Sequence, residues 1–159
     1  MKRTFVICAY KESVFLEERI LSLKKQTVRS NIFITTSTPN KYIGDIADKH
    51  GIDIIVNHGH GGMTHDWNFG LSKVTKYASV AHQDDIYESE YAEKIIKEMV
   101  KLDNSIVAFS DYSEFKNGEK IHDNARVQEN YIMDCKFWSK PIAKLINRFY
   151  TKPEKLNEI

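Results

Sequence analysis

YASVAHQDDIYESEYAEKI, residues 77–95, changes its periodicity midway. Tyr77 to Ala81 is an apolar, strand-like run that delivers His82-Gln83-Asp84-Asp85. From Tyr91 the apolar residues Tyr91, Ile95, Met99 and Leu102 recur at helical spacing. A strand, an acidic turn and a helix in succession make one β-turn-α unit. Two adjacent carboxylates repel each other, and at a strand end they are partly desolvated. Two arrangements relieve this. In the first, the turn faces water and its acids favour the start of the helix after Ser89. In the second, a hard divalent cation, Mn2+ or Mg2+, is held by one or two carboxylates and completed by water and phosphate oxygens.

The same unit recurs on the N-terminal side. Thr4–Ala9 (TFVICA) is an apolar run that reads as a strand buried on both faces. Leu16, Ile20 and Leu23 follow at helical spacing, with Val14 and Leu21 widening the stripe. Glu17, Glu18, Arg19, Lys24 and Lys25 are assigned to the opposite, solvent side. Asn31–Thr36 (NIFITT) is a second strand. After it Thr38 is placed as a helix cap and Pro39 at the first helical position. Ile43, Ile46 and Ala47 give the inner face of that helix and Gly51 its stop. Asp53–Val56 (DIIV) is a third strand, followed by the loop Asn57-His58-Gly59-His60-Gly61-Gly62. A helix from about Thr64 then carries Trp67, Leu71 and Val74 on one face. Beyond the acidic turn, Ser105–Ser110 (SIVAFS) reads as a fifth strand. Lys116-Asn117-Gly118-Glu119 reads as a type I′ hairpin turn. Strands joined by helical crossovers are parallel neighbours. The expected fold is therefore α/β, a Rossmann-type, mostly parallel sheet flanked by helices, with a small hairpin and a helical C-terminal tail.

A chain of 159 residues suits one domain with one sizeable core. With 23 basic and 22 acidic side chains, its formal charge of +1 gives no global reason to expect a nucleic-acid partner. Two cysteines, Cys8 and Cys135, are too few for a disulfide scaffold, and Cys8 reads as a buried thiol of a cytosolic protein. No run approaches the ~20 apolar residues that span a bilayer. Residues 1–122 are read as the main domain and 123–159 as a basic, helical tail. In that tail Lys136, Lys140, Lys144, Arg148 and Lys152 recur every fourth residue around Phe137, Leu145, Ile146 and Phe149. The tail is either a solvated helix face or a basic amphipathic segment lying on a membrane or a partner. The expected location is cytoplasmic, with the inner face of the membrane as the variant that the tail allows.

In an open parallel sheet, ligands bind at the carboxyl ends of the strands. That rule collects Ala9, Tyr10 and Glu12 after the first strand and Thr36 and Ser37 after the second. It adds Gly61 and Gly62 after the third, and Asp84 and Asp85 after the fourth. Tyr10 could stack on a flat ring, and Glu12 could accept a hydrogen bond from a base edge or simply favour the following helix. The glycine loop is either a connector or an anion cradle at a helix N-terminus. His58, His60 and His65 lack the cysteine or HExxH spacing of a zinc site. Asp111, after the fifth strand, either reaches the same rim or only flanks the hairpin.

The order of these pieces resembles family 2 glycosyltransferases, nucleotide-sugar enzymes of the GT-A fold. Cys8-Ala9-Tyr10-Lys11-Glu12 loosely matches that family's Pro-x-Tyr-Asn-Glu turn. LKKQT, Leu23 to Thr27, matches its Leu-x-x-Gln-Thr. GGMTHDWNFGLSKV is similar to its Gly-rich loop and helix, with Asn68 at the matching place. AHQDDIYESEY is similar to its acidic motif, with His82 where a first acid can stand. The resemblance covers about residues 4–120. It implies a nucleotide-diphosphate sugar donor, a UDP-sugar by family habit, and a glycan or lipid-linked acceptor. It further implies that Asp85 holds a cation bridging the diphosphate, and that Asp84 holds the ribose or assists the metal. The uracil-side Asp of the family is replaced by IFITTSTPN, which leaves that role to Thr36 or Ser37. The family's Glu-Asp base motif has no counterpart, and Asp111 is the substitute candidate. The acceptor-binding half is expected to be missing, which would favour self-association or a partner subunit. Two other readings stay open: a non-catalytic nucleotide-binding or assembly module, and a metal-dependent nucleotidyltransferase.

Overall fold

The apolar runs become β1 (Arg3–Cys8), β2 (Asn31–Thr36), β3 (Asp53–Val56) and β4 (Tyr77–His82). The helices are α1 (Leu16–Lys24), α2 (Lys41–His50), α3 (Met63–Ser72) and α4 (Tyr91–Lys101). The computed structural model describes residues 3–74, 76–101, 108, 110, 112–116 and 119–124. The four strands pair in parallel in the order β3-β2-β1-β4, the mostly parallel α/β sheet that the alternation predicts. β5 (Tyr112–Lys116) and β6 (Glu119–Asn124) form the expected antiparallel hairpin, with Lys116 opposite Glu119. The Asn117-Gly118 turn, Asp111 and the basic tail from 125 onward lie outside the described residues. Of the strand expected over 105–110, only Ala108 and Ser110 are described, and neither belongs to a strand.

From β1 the chain steps outward through β2 to β3. It then returns to the other side of β1 as β4. The direction of winding thus reverses between β1 and β4, and the turns leaving those two strands diverge around a crevice. The register Cys8↔His82 brings Ala9-Tyr10 level with Gln83-Asp84 there.

Alternation along β1 divides the core. Phe5 and Ile7 point into a cluster with Leu16, Ile20 and Leu23 of α1, Ile43, Ile46 and Ala47 of α2, and Ala92 of α4. Val6 points the other way, toward α3. There Gly70 lets the helix come so close that an added Cβ would lie 2.4 Å from Val6 Cγ1 and 2.9 Å from Thr35 Cγ2. The Cys8 thiol, expected buried, is half-buried beside Thr35, and desolvation pushes its pKa up to about 12, which keeps it protonated at neutral pH.

Two local expectations are corrected. The α2 cap is Asn40, whose side chain accepts from Ile43 N at 2.9 Å, so Thr38 and Pro39 precede the helix. Thr38 is freed for a loop contact described below. On α1, Val14 and Leu21 do not widen the apolar stripe, since both are exposed. Arg19 and Ser22 are buried in their place. The physical reason is packing on both sides of α1. Its polar residues at 19 and 22, with Gln26 just past its end, face the segment that follows β4, and that segment covers them.

Aromatic and cationic groups fill this contact. Phe5, Tyr87 and Tyr91 pack with ring centroids 4.6–6.3 Å apart. The Arg3 guanidinium lies 4.5 Å over Phe5, and that of Arg19 lies 4.4 Å over Tyr87. A desolvated cation–π contact of this kind contributes roughly 2 kcal/mol. Burial lowers the pKa of both arginines and raises that of Tyr87.

The close seat of α3 predicts that Gly70→Ala destabilises the chain. Overpacking costs about 1–3 kcal/mol, against about 0.5–1 kcal/mol gained by replacing a mid-helix glycine. Urea unfolding should show a lowered midpoint; an unchanged or raised one would mean that α3 is not seated on Val6 and Thr35. A second prediction concerns Glu17, which joins α1 to α2 by bonds to Lys49 Nζ (2.6 Å) and His50 Nε2 (2.8 Å). The hydrogen bond from Lys49, then that from His50, holds the Glu17 carboxyl below its ordinary range. A carboxyl depressed in the folded state adds stability above its unfolded pKa and loses it as pH falls through the folded value. The stability difference between the native chain and Glu17→Gln, followed by urea unfolding from neutral to acid pH, should therefore shrink as pH falls through the carboxylate range.

Candidate functional site

At the switch point, the loops after β1 and β4 are joined by one side chain. Gln83 Oε1 accepts from Tyr10 N at 2.9 Å, and Gln83 Nε2 donates to Tyr10 O at 3.0 Å. This reciprocal pair uses both polar ends of the amide and both backbone groups of Tyr10. The next residue, Lys11, takes a left-handed φ of 54°, and its N–H donates to Thr38 Oγ1 at 2.8 Å. Thr38 N in turn donates to Thr36 Oγ1 at 3.0 Å. The turns after β4, β1 and β2 are thereby fixed to one another by side-chain-to-backbone bonds.

A buried carboxylate extends this frame to β3. Asp66, in the first turn of α3 and 4% exposed, accepts from Ser37 Oγ at 2.7 Å and from Asn57 Nδ2 at 2.8 Å. Asn57 also bonds His60 O and Gly59 N, which shapes the glycine loop. Gly61 rests on Ser37, where an added Cβ would stand 3.0 Å from Ser37 Oγ. Gly62, with φ 115°, is the residue that turns the chain into α3.

The sequence-predicted residues thus separate by what they offer a ligand. Tyr10 is 50% exposed, and Glu12, Gly61, Gly62, Asp84 and Asp85 are also exposed. Ala9 and Thr36 are buried, and Ser37 is committed to Asp66, so these three support the rim from behind. Asn68 is half-buried, and its Oδ1 makes no hydrogen bond among the described residues. The four strand ends meet on one rim, as topology predicts, while Asp111 lies outside the described residues.

Of the polar residues of this frame, Asp66 and Arg19 escape a reading by strand ends, while Gln83 and Asn57 fall within the turns it collects without being singled out. Gln83 sits inside the quoted acidic turn but draws no attention beside two carboxylates. Asp66 stands beside Trp67 on the inner side of α3, an unusual place for an acid without partners. Arg19 is three residues from Leu16 and four from Leu23, which puts it on the buried face of a helix. Nη2 of Arg19 lies 3.5 Å from Asp85 Oδ2.

Among the described residues, no three His, Cys, Asp or Glu side chains converge as a metal cluster. His60 and His65 stack with ring centroids 5.7 Å apart, in the glycine loop and the first turn of α3. The donor set at the crevice is instead a pair of carboxylate oxygens on an exposed turn. That chemistry fits a hard cation completed by water and phosphate, and not a tetrahedral zinc site. No described helix is long and apolar enough to cross a membrane.

Comparison with known proteins follows the same lines. A search of curated proteins finds no match. Among solved structures, TarS of S. aureus is similar with a TM-score of 0.55 and 15% identity, over 64% of this chain and 20% of that one. The mannosyltransferase PcManGT from Pyrobaculum calidifontis, in complex with GDP-Man and Mn2+, gives 0.53 and 15% over 60% of this chain and 31% of that one. A 4-diphosphocytidyl-2C-methyl-D-erythritol synthase gives 0.53 and 9%, over 78% of this chain and 70% of that one. At these identities the likeness is one of fold, the GT-A type, and the chain spans about a fifth to a third of the length of TarS and PcManGT. The sequence itself matches the profile of glycosyl transferase family 2 over residues 4–156, so a parallel sheet with an acidic turn at its switch point is here the framework of a chain that belongs to glycosyl transferase family 2.

Proposed function

We propose that this chain is the donor-binding part of a glycosyltransferase that takes a nucleoside-diphosphate sugar, a UDP-sugar, together with Mn2+ or Mg2+. The observation that carries the reading is the switch-point rim. An exposed tyrosine and two exposed carboxylates stand on turns that Gln83 ties directly together. Tyr10 offers a ring face on which the base stacks, and Glu12 offers an acceptor for a base edge. The glycine loop and the N-terminus of α3, with Gly62 at the turn and Asn68 within the helix, provide polar groups for the anionic part of the donor. Asp66 keeps Ser37 and that loop at fixed spacing, so the cleft is organised before ligand enters. The Asp84-Asp85 turn supplies the carboxylate oxygen for the cation, from one acid or both. When bound, such a cation offsets the charge that gathers on the departing diphosphate. The acceptor is a hydroxyl of a glycan or a lipid-linked saccharide, with Asp111 as the nominated base.

Calorimetric titration of UDP into the purified chain should show binding with Mn2+ that disappears in EDTA. The Asp84→Asn/Asp85→Asn double variant should keep its fold by circular dichroism and lose the metal-dependent part. Binding that is indifferent to both metal and variant would exclude the role given to the turn. Release of pyrophosphate from UTP would replace sugar transfer by nucleotidyl transfer.

The stacking role of Tyr10 is tested separately. Loss of base–aromatic stacking costs ~1–3 kcal/mol, so Tyr10→Ala should weaken UDP about 5- to 150-fold. Tyr10→Phe should bind as the native chain does. Equal affinity of all three would place the base elsewhere.

A further inference from the structure

Arg19 is 0% exposed, and apart from the Tyr87 side chain on which it packs, its Nε, Nη1 and Nη2 have no hydrogen-bond partner among the described residues. Leaving a cation in that state without a counter-charge costs several kcal/mol. The ion pair it makes is with Asp85, at 3.5 Å, while its guanidinium lies over the Tyr87 ring. Asp85 is 59% exposed, so one end of the pair is in the core and the other is at the crevice. Asp84, the other acid of the turn, is exposed and forms no ion pair among the described residues.

Ser22 of α1 and the two residues Gln26 and Thr27 beyond its end grip the same segment. Ser22 Oγ accepts from Tyr87 N at 3.3 Å. Gln26 donates to Glu88 O at 2.8 Å and accepts from Ala92 N at 2.8 Å. Thr27 N donates to Ser89 O at 2.9 Å, and Thr27 Oγ1 donates to Glu93 at 2.8 Å. Positions 19 and 22 share one face of α1, and with Gln26, just past its end, they meet residues 85, 87, 88 and 92 in order. The contacts from Ser22, Gln26 and Thr27 hold the exit of the turn, and Arg19 holds its carboxylate.

We propose that Arg19 is a positioning residue that takes Asp85 as its counter-ion and so leaves Asp84 as the carboxylate of the turn that is free to take a divalent cation. The proposal rests on the donor-binding reading given above. It divides two adjacent acids into an anchoring group and a ligand. With Asp85 neutralised from inside the protein, the pair no longer competes for one cation, and the backbone between them is fixed by a charge buried in the core.

The test is Mn2+ titration of the purified chain with and without UDP, read by the free-Mn2+ electron paramagnetic resonance signal, together with urea unfolding of the same variants. Asp84→Asn should weaken Mn2+ more than about 100-fold. Asp85→Asn and Arg19→Met should each weaken it about 10-fold, the usual size for loss of an outer-shell partner. The double variant should be no weaker than about 10-fold, because both changes break one interaction. Arg19→Lys, which keeps the charge, should recover most of the affinity. In urea, Asp85→Asn should lower the unfolding midpoint in the native background and not in Arg19→Met. The proposal is overturned if Asp85→Asn loses as much Mn2+ affinity as Asp84→Asn. It is also overturned if the Asp85→Asn and Arg19→Met effects multiply in full. Should Arg19→Met fail to fold, the Asp84→Asn and Asp85→Asn comparison and the Arg19→Lys recovery decide alone. A native chain that binds no Mn2+ with or without UDP overturns the donor-binding reading. The urea cycle with Arg19→Lys then still decides whether Arg19 holds Asp85.

Discussion

A guanidinium that cannot reach water has to find its counter-charge within the protein, and in this chain that requirement fixes where the acidic turn sits. Arg19 is enclosed by α1, the Tyr87 ring and the segment leaving β4, and Asp85 is the carboxylate it reaches. Placing a charge at this depth is costly, and hydrophobic replacement would often give an equally stable core. What the charge adds is direction. A leucine at position 19 would fill the space and leave the Asp85 carboxylate without its partner in the core. An arginine binds the turn after β4 through that single carboxylate.

The same logic of local bonds across sequence-distant turns runs along the rest of the rim. Parallel strands end on one side of the sheet without any covalent link between their exits, because each exit leads away into a helix. Here the exits are stitched by Gln83 to Tyr10, Thr38 to Lys11, and Ser37 and Asn57 to Asp66. Each bond pairs groups that would otherwise be half-desolvated at a strand end. The cleft therefore keeps its shape through satisfied polar groups, while the apolar cluster beneath supplies the stability.

The large features were legible because they depend on composition averaged over a segment. The apolar runs at 4–9, 31–36, 53–56 and 77–81 all became strands, and the helical crossovers made them parallel. The residues that tie the rim were not legible, because each works through one specific partner far away in sequence. Arg19 carries the clearest lesson. Its charge argued for the solvent side, yet its spacing from Leu16 and Leu23 put it on the inner side, and packing followed the spacing. Thr38 is the converse case. Its type argued for a cap, but Asn40 took that place, and Thr38 was used to hold the turn after β1. Asp66 needed both Ser37 and Asn57 to be visible as its partners, and no local pattern links the three.

The Gln83–Tyr10 pair has one more property. Gln83 grips only the main chain of residue 10, through its N–H and its carbonyl. Any amino acid other than proline presents those same two groups, so the clamp does not care which side chain stands above it. Selection can therefore exchange the side chain at this position, and with it whatever that side chain touches, without loosening the junction of β1 and β4. A scaffold built in this way separates the inheritance of its framework from the inheritance of its preferences, and related chains could diverge in what they recognise while the strand exits beneath stay where they are.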